Sequence, residues 1–346
     1  MDVTVSTADL LKELTLTEKL ASRRPVIPVL TCALLEATGA GLRVSGTDLE
    51  VGLRGLVPAR VLADGKAAVP ARKLFELTRL LPDTDLRIEG GIDSVALTAQ
   101  TGFRARLQTQ AADDYPALPE SPPAQAELPG LVLRQLIERV RFASTADDTR
   151  YHLAGVLFEA DERRVQMVAT DGHRLARVSA GYQGASVPAC IVPRRAVDAL
   201  LLMVEAGAAV AFAASDSHLF FCADDHVLIS RRPEGQFPKW ERIVPKPAAH
   251  RLELSREQVA AVLQRAKLAT DERTRLVTFG LAKSGLTATA SSPEGESTEH
   301  VAGLYGGEDL ALGLNVEYVL DFLGATDAEK VSFEAYEALQ PAVWRQ

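Results

Sequence analysis

The chain has 346 residues and a formal net charge of −8, with 47% hydrophobic and 24% charged residues. That length suits two or three domains, each able to bury a sizeable core, and no apolar run reaches the roughly 18 residues of a membrane span. The acidic balance excludes a protein that finds nucleic acid by net attraction, though not one with a local basic surface.

The opening "MDVTVSTADLLKELT" lacks the basic start and apolar core of a secretion signal, which points to the cytoplasm. Cys32, Cys190 and Cys222 are far apart, and the histidines have no ligand spacing. No glycine-rich phosphate loop is present, so neither a metal nor a cofactor is expected.

In chain order, the first element is an amphipathic helix, "STADLLKELTLTEKLA" from Ser6. It has a cap-like Ser6…Asp9 pair and Leu10, Leu11 and Leu14 at helical spacing. A strand–turn–strand pattern follows, "LRVSGTDLEVGLRG". Next comes a second helix, "VPARKLFELTRLL", opening on Val-Pro and the basic pair Arg72–Lys73. Short strands such as "DLRIEG", "VALTAQ" and "FRARLQT" close the block.

The series then recurs. "LPGLVLRQLIERVRFA" from Leu128 is followed by "VQMVATDGHRLARVS". "VPRRAVDALLLMV", with Arg194–Arg195, precedes the strands "AVAFAA", "HLFFCA" and "HVLISRR". A third pass gives "LSREQVAAVLQRAKLA" from Leu254, with Ser255…Gln258 and Val259, Val262 and Leu263 in step. "LTATASSPEGESTEHVAG" and "LNVEYVLDFLGA" complete it. Three blocks in one order predict three copies of a single α+β module, each with two helices and about eight strands. Two Pro-rich, aperiodic stretches, "LPESPPAQAELPG" and "VPKPAAHRL", suit linkers, which sets the domains at 1–120, 121–247 and 248–346.

Basic residues concentrate on the predicted helices: Arg72, Lys73 and Arg79; Arg134, Arg139 and Arg141; Arg194 and Arg195; Arg256, Arg265 and Lys267. Each fits a solvated face. Together they also fit one surface that touches phosphates without reading bases.

The stretch "VATDGHRLARV" (168–178) gathers Thr170, Asp171, His173 and Arg174 around Gly172. Asp171 and His173 could serve as orienter and base of a hydrolase, but no nucleophile motif or third metal ligand accompanies them. Asp-Gly between alternating runs is a strong hairpin signal. A turn, a partner site built on a turn, and a catalytic pair are all compatible with these residues. So is a peptide-binding scaffold without a DNA role, which the basic helix starts oppose.

The motifs "ATDGHRLA", "GTDLE", "VPARK", "DDYPALPE", "RYHLAGVLFE", "IVPRR", "GQFPKWERIVPK" and "LGLNVEYVLDFL" occur along the chain from end to end. The chain thereby resembles the bacterial sliding clamps, the DNA polymerase III beta subunits. The resemblance implies three copies of the clamp fold, closed head to tail as a dimeric ring around duplex DNA. It implies a processivity factor with no catalysis of its own. The expected partners are a second copy, the polymerase III alpha subunit, the clamp loader, and other polymerases and repair proteins that insert short apolar peptides.

The peptide pocket implied by the resemblance lies between the second and third domains. It uses Leu153, Thr170, Gly172, His173, Arg174, Leu175, Pro238, Arg242, Ile243, Asn315 and Tyr318. Leu339 and Pro341 would fall on a strand lining it. The implied DNA contacts are Arg24, Arg72, Lys73, Tyr151, His152, Arg194 and Arg195; Asp147 is left out because an acid weakens a phosphate contact. The implied dimer interface sets Arg104, Arg106 and Leu107 against Leu268 and the acidic Glu294, Glu296 and Glu299. Clamps of this family end with one more strand and a Met-Pro-Met-Arg-Leu-like tail. The third domain is therefore expected to lack its final strand after "LQPAVWRQ".

Overall fold

The computed structural model describes residues 1–21, 27–145, 153–204, 208–246, 250–336 and 340–346. Arg24, Tyr151, His152 and Leu339 lie outside the described residues. The chain divides into two compact units. The first holds Met1–Ile137, Ser144–Asp171 and Arg177–Gln236; the second holds Glu138–Ala143, Gly172–Ala176 and Phe237–Gln346.

The expected helices form at α1 (Thr7–Leu20), α2 (Ala71–Leu80), α3 (Gly130–Glu138), α4 (Arg194–Met203), α5 (Arg256–Lys267) and α6 (Val316–Ala325). Ser6 and Ser255 accept from the backbone N–H of Asp9 and Gln258 at 3.4 and 3.5 Å, as their cap patterns predict. Helix α1 buries Leu10, Glu13, Leu14, Thr17 and Leu20, whose spacing of three and four residues makes one stripe. Helix α3 is shorter than its pattern: it ends at Glu138, where the chain leaves the first unit, and a 3-10 turn occupies Arg141–Ala143.

Within the first unit, two half-sheets join into one eight-stranded sheet. The seam is the antiparallel pairing of Val51–Val57 with His226–Arg231, with His226 opposite Gly55 and Ser230 opposite Val51. A linker segment crosses this seam. Leu118 packs beside Phe220 and Ile229, and Arg54 donates to Glu120 at 2.7 Å and to the Leu118 carbonyl at 3.0 Å. Helix α1 packs on α2, on the strands Gly41–Thr47 and Val51–Val57, and on α4. A separate five-stranded sheet runs from Ala59–Ala63 at one end to Arg104–Gln108 at the other. Phe158, Phe212 and Phe221 form an aromatic core, with edge-to-face and tilted ring pairs at 5.2 to 6.4 Å.

One polar pair ties helix to seam. Glu13 of α1 is buried, and its Oε1 hydrogen-bonds His226 Nε2 on the first residue of the seam strand. A Cβ at position 55 would sit 1.8 Å from Glu13 Oε2, so a larger residue there would have to displace the carboxylate.

The second unit contains a four-stranded sheet ordered Gly295–Ala302, Gly285–Ser292, Leu276–Ala282, Leu310–Asn315, and a three-stranded sheet. Helix α5 packs on α6 and on the strand Gly295–Ala302. In the three-stranded sheet, Val343–Arg345 pairs with Lys330–Glu334. Its apolar side chains drive this. The Trp344 ring stacks on Phe333 at 4.4 Å and meets Phe279 at 6.3 Å. Pro341 precedes this strand instead of lying on it.

The His226–Glu13 pair predicts a pH dependence. The Glu13 carboxylate raises the His226 pKa, outweighing the opposite effect of burial. A raised folded pKa means stability that is full below the unfolded value of about 6.5 and lost as pH rises through the folded value. His226→Gln should therefore lower the urea midpoint most near pH 6, and progressively less toward pH 8.5. A deficit that stays constant or grows with pH would contradict this account.

Candidate functional site

The loop 171–174 joins the neighbouring sheet strands Arg164–Thr170 and Leu175–Gly181. Gly172 adopts φ +92°, a left-handed conformation that glycine takes without steric cost. The turn is thus the hairpin the Asp-Gly pair predicts, with His173 exposed at its tip.

Arg174 follows, and its guanidinium is held from several sides inside the second unit. Nη1 donates to Asp321 Oδ2 at 2.6 Å, and Nη2 to the Phe142 carbonyl at 2.6 Å. Its central carbon lies 4.5 Å from the centroid of Tyr318 and 5.3 Å from that of Phe142. A planar, delocalised cation satisfies all of these at once, by forked donation in its plane and stacking on its faces. Tyr318 and Asp321 stand three residues apart on α6 and share a face.

The structure therefore joins two expected members, Arg174 and Tyr318, and adds two that sequence reasoning missed, Phe142 and Asp321. Asp321 was legible from its helical spacing to Tyr318. Phe142 was not, because "RVRFA" reads as the end of an apolar helix. Arg174, expected to donate to a visiting peptide, is already engaged by its own unit. Asn315 is engaged internally as well, since its side chain caps α6 by accepting from Glu317 N–H at 2.9 Å.

Pro238, Arg242 and Ile243 sit around a 3-10 turn, Trp240–Arg242, pinned by buried Trp240, whose N–H donates to the Pro238 carbonyl at 2.7 Å. Ile243 is 53% exposed, unusual for a large aliphatic side chain. Leu153 and Thr170 belong to the first unit, where both are buried. Leu175 is half-buried in the second.

The expected DNA residues that are described all lie at helix starts. Arg72 and Lys73 open α2, and Arg194 and Arg195 open α4; both helices follow a proline, lack a side-chain cap and have no acid in their first turn. Cations at the positive end of a helix are locally unfavourable, so structure alone does not account for them. Arg72 pairs with Glu76 at 2.9 Å but stays largely exposed, and Lys73 is exposed. Arg194 donates to the Ser144 carbonyl at 3.0 Å, and Arg195 pairs with Asp48. In the third repeat, α6 starts instead with a capping Asn315 and Glu317.

Of the expected interface residues, Arg104, Arg106, Glu294 and Glu296 are exposed and Leu268 is 85% exposed. Leu107 is buried in its own module's core with Val95 and Leu97, because it points to the helix side of its strand. Glu299 is paired with Arg265 of α5.

Catalysis gains no support from these surroundings. Among the described residues, no group of three or more His, Cys, Asp and Glu side chains could hold a metal. Burial pushes the Cys190 thiol up to about 12 and raises Cys32 as well, so neither is a ready nucleophile.

Three models of the DNA polymerase III beta subunit match in succession: the N-terminal domain over residues 1–119, the central domain over 127–239 and the C-terminal domain over 241–346. The chain belongs to the DNA polymerase III beta subunit family, the beta sliding clamps. It is 34% identical over 340 residues to the beta sliding clamp of Pseudomonas aeruginosa, and 32% identical over 338 residues to that of Escherichia coli K12. In each case the match covers 96% of this chain and 92% of the relative. Among solved structures, a sliding clamp from Pseudomonas aeruginosa bound to griselimycin superposes with a TM-score of 0.94 at 32% identity. That match covers 100% of this chain and 95% of that one. A Bacillus subtilis sliding clamp, at 22% identity and a TM-score of 0.92, shares the fold. The three-copy α+β organisation is thus the three-domain clamp fold. A beta sliding clamp is a processivity factor and not itself a polymerase, which removes Asp171 and His173 from the catalytic reading.

The cage around Arg174 predicts that Arg174→Lys loosens the loop without unfolding the protein. A lysine keeps the charge but loses the fork and the stacking. Amide exchange across 172–176 should speed up about tenfold, while the global unfolding free energy falls by about 1 kcal/mol or less. Unchanged exchange in this segment would sink the idea that Arg174 braces the loop.

Proposed function

We propose that this protein is a non-catalytic processivity clamp of DNA replication, a ring of two copies that encircles duplex DNA and tethers its partners by peptide capture. Membership of the beta sliding clamp family along the whole chain carries this reading. Holding DNA by enclosure needs no strong attraction. That agrees with a chain of net charge −8 whose cations gather at helix starts.

Arg72, Lys73, Arg194 and Arg195 would meet phosphates, each at a helix N-terminus whose free N–H groups favour anions. Arg24, Tyr151 and His152 would join them by resemblance. Two copies would close head to tail through strands that end their sheets, Arg104–Gln108 and Gly295–Ala302, one basic and one acidic. The partner peptide would settle an apolar side chain against exposed Ile243 and the face of Tyr318, with Arg242 and His173 offering hydrogen bonds. Gly172, Leu175 and Pro238 would shape that surface, with Leu153 and Thr170 as further members. Its visitors would be the replicative polymerase, the clamp loader and repair proteins, working in the cytoplasm. Among the described residues no helix is long and apolar enough to cross a membrane.

The topological reading predicts retention on nicked circular DNA and rapid loss once the circle is linearised, read by gel filtration of the loaded complex. Equal retention on both forms would defeat it. The electrostatic reading predicts that replacing Arg72 and Lys73 with alanine lowers affinity for a short duplex uniformly across sequences. The slope of log K against log salt should fall by about two. An unchanged slope would remove these residues from the DNA surface.

A further inference from the structure

The internal repeat allows a comparison at one position, the second residue of the second helix in each module. It is Arg72 in α2, Arg195 in α4 and Glu317 in α6. Each is held in an ion pair. Arg72 meets Glu76 at 2.9 Å, Arg195 meets Asp48, and Glu317 meets Lys267 at 2.8 Å. The partners come from three different places: one turn further along the same helix, a turn of the preceding module, and helix α5. Shared local geometry therefore does not explain the pairing. What recurs is cancellation of charge at this position.

The flanking cations are treated differently. Among the described residues, neither Lys73 nor Arg194 has a carboxylate within ion-pair distance, and Arg194 donates to the Ser144 carbonyl instead.

Neither acid is required by its own element. Arg72 precedes Glu76 by four residues, the less favourable order on a helix, and both side chains are well solvated. Such a pair adds little to stability. Asp48 caps its turn with Oδ1 alone, which accepts from the N–H groups of Glu50 and Val51 at 2.9 and 2.8 Å. An asparagine oxygen would serve that turn equally well. The charge is left over, and Oδ2 directs it at Arg195. The Asp48 side chain is 4% exposed and that of Arg195 57%. A fixed anion thus stands behind a cation that still faces solvent.

We propose that Glu76 and Asp48 are built-in stand-ins for phosphate, which hold Arg72 and Arg195 until a DNA backbone arrives and take them back when it leaves. This rests on the reading of these arginines as DNA contacts and specifies how firmly they grip. Each contact becomes an exchange of one anion for another instead of a gain from water. Attraction to the duplex is reduced, and so is the cost of letting go. Lys73 and Arg194, without an acid of their own, supply the attraction that is not offset. A ring that holds DNA by enclosure gains from this division, because a firm grip at every helix start would oppose sliding.

The test is anisotropy of a labelled short duplex titrated with the full chain at one low salt concentration. Glu76→Gln and Asp48→Asn keep the shape of each acid and remove its charge. Each should tighten binding about threefold, and the two together about tenfold, as expected for exposed ion pairs. Glu76→Gln should have little effect once Arg72→Ala is present, and Asp48→Asn little effect with Arg195→Ala. Diffusion of the loaded clamp along stretched duplex should slow in both amide variants. Glu76 is half-exposed, so its variant keeps the test open whatever Asp48→Asn does to the turn. Unchanged or weaker binding by the amide variants overturns the proposal, since the acids would then be positioning the arginines. Tightening of the same size in the alanine backgrounds also overturns it, because loss of overall negative charge would suffice. Tighter binding with undiminished diffusion overturns the role in sliding. If neither Arg72→Ala nor Arg195→Ala weakens duplex binding, the DNA reading of these residues falls, and the proposal with it.

Discussion

A strand at the end of a sheet carries a row of N–H and C=O groups that must find partners, in water or in another strand. This protein's architecture follows from where those rows are satisfied. Inside the first unit, the strands Val51–Val57 and His226–Arg231 close on each other, so two modules become one eight-stranded sheet. The pairing is then locked from both faces. Glu13 of α1 reaches His226 on one side, and Leu118 of the linker covers Phe220 and Ile229 on the other. A side chain at Gly55 would compete with that carboxylate for space.

The same edges recur at Arg104–Gln108 and Gly295–Ala302, which end their sheets among the described residues. There the apolar residues of the internal seam give way to arginines on one strand and acids on the other. Opposite charges on two such edges would steer their approach and reject like pairing. An edge closed for good within the chain is better served by burial.

A second division of labour separates charge that holds the protein together from charge available to others. Arg174 is consumed internally by Asp321, Phe142 and Tyr318, and Arg54 by the linker. Arg72 and Lys73 instead stand exposed at a helix end where the macrodipole opposes them. Cations in an unfavourable local field suit a ligand that brings its own negative charge. The third repeat, with Asn315 and Glu317 at the equivalent helix start, follows ordinary helix chemistry.

The sequence by itself determined the modular order, the helices with the serine caps of α1 and α5, the turn at Asp171–Gly172 and the family. All of these depend on neighbours within a few residues, or on a repeating pattern, and both are written linearly. Tertiary structure alone decided which charges are free. Arg174 and Asp321 are 147 residues apart, and Glu13 and His226 are 213 apart. No local spacing couples them; only the folded backbone brings them within hydrogen-bond distance. It also decided that Leu107 belongs to its own core and that Val343–Arg345 forms a strand, since burial is settled by what packs against a residue. A line of letters names each side chain, while the fold sets its partner.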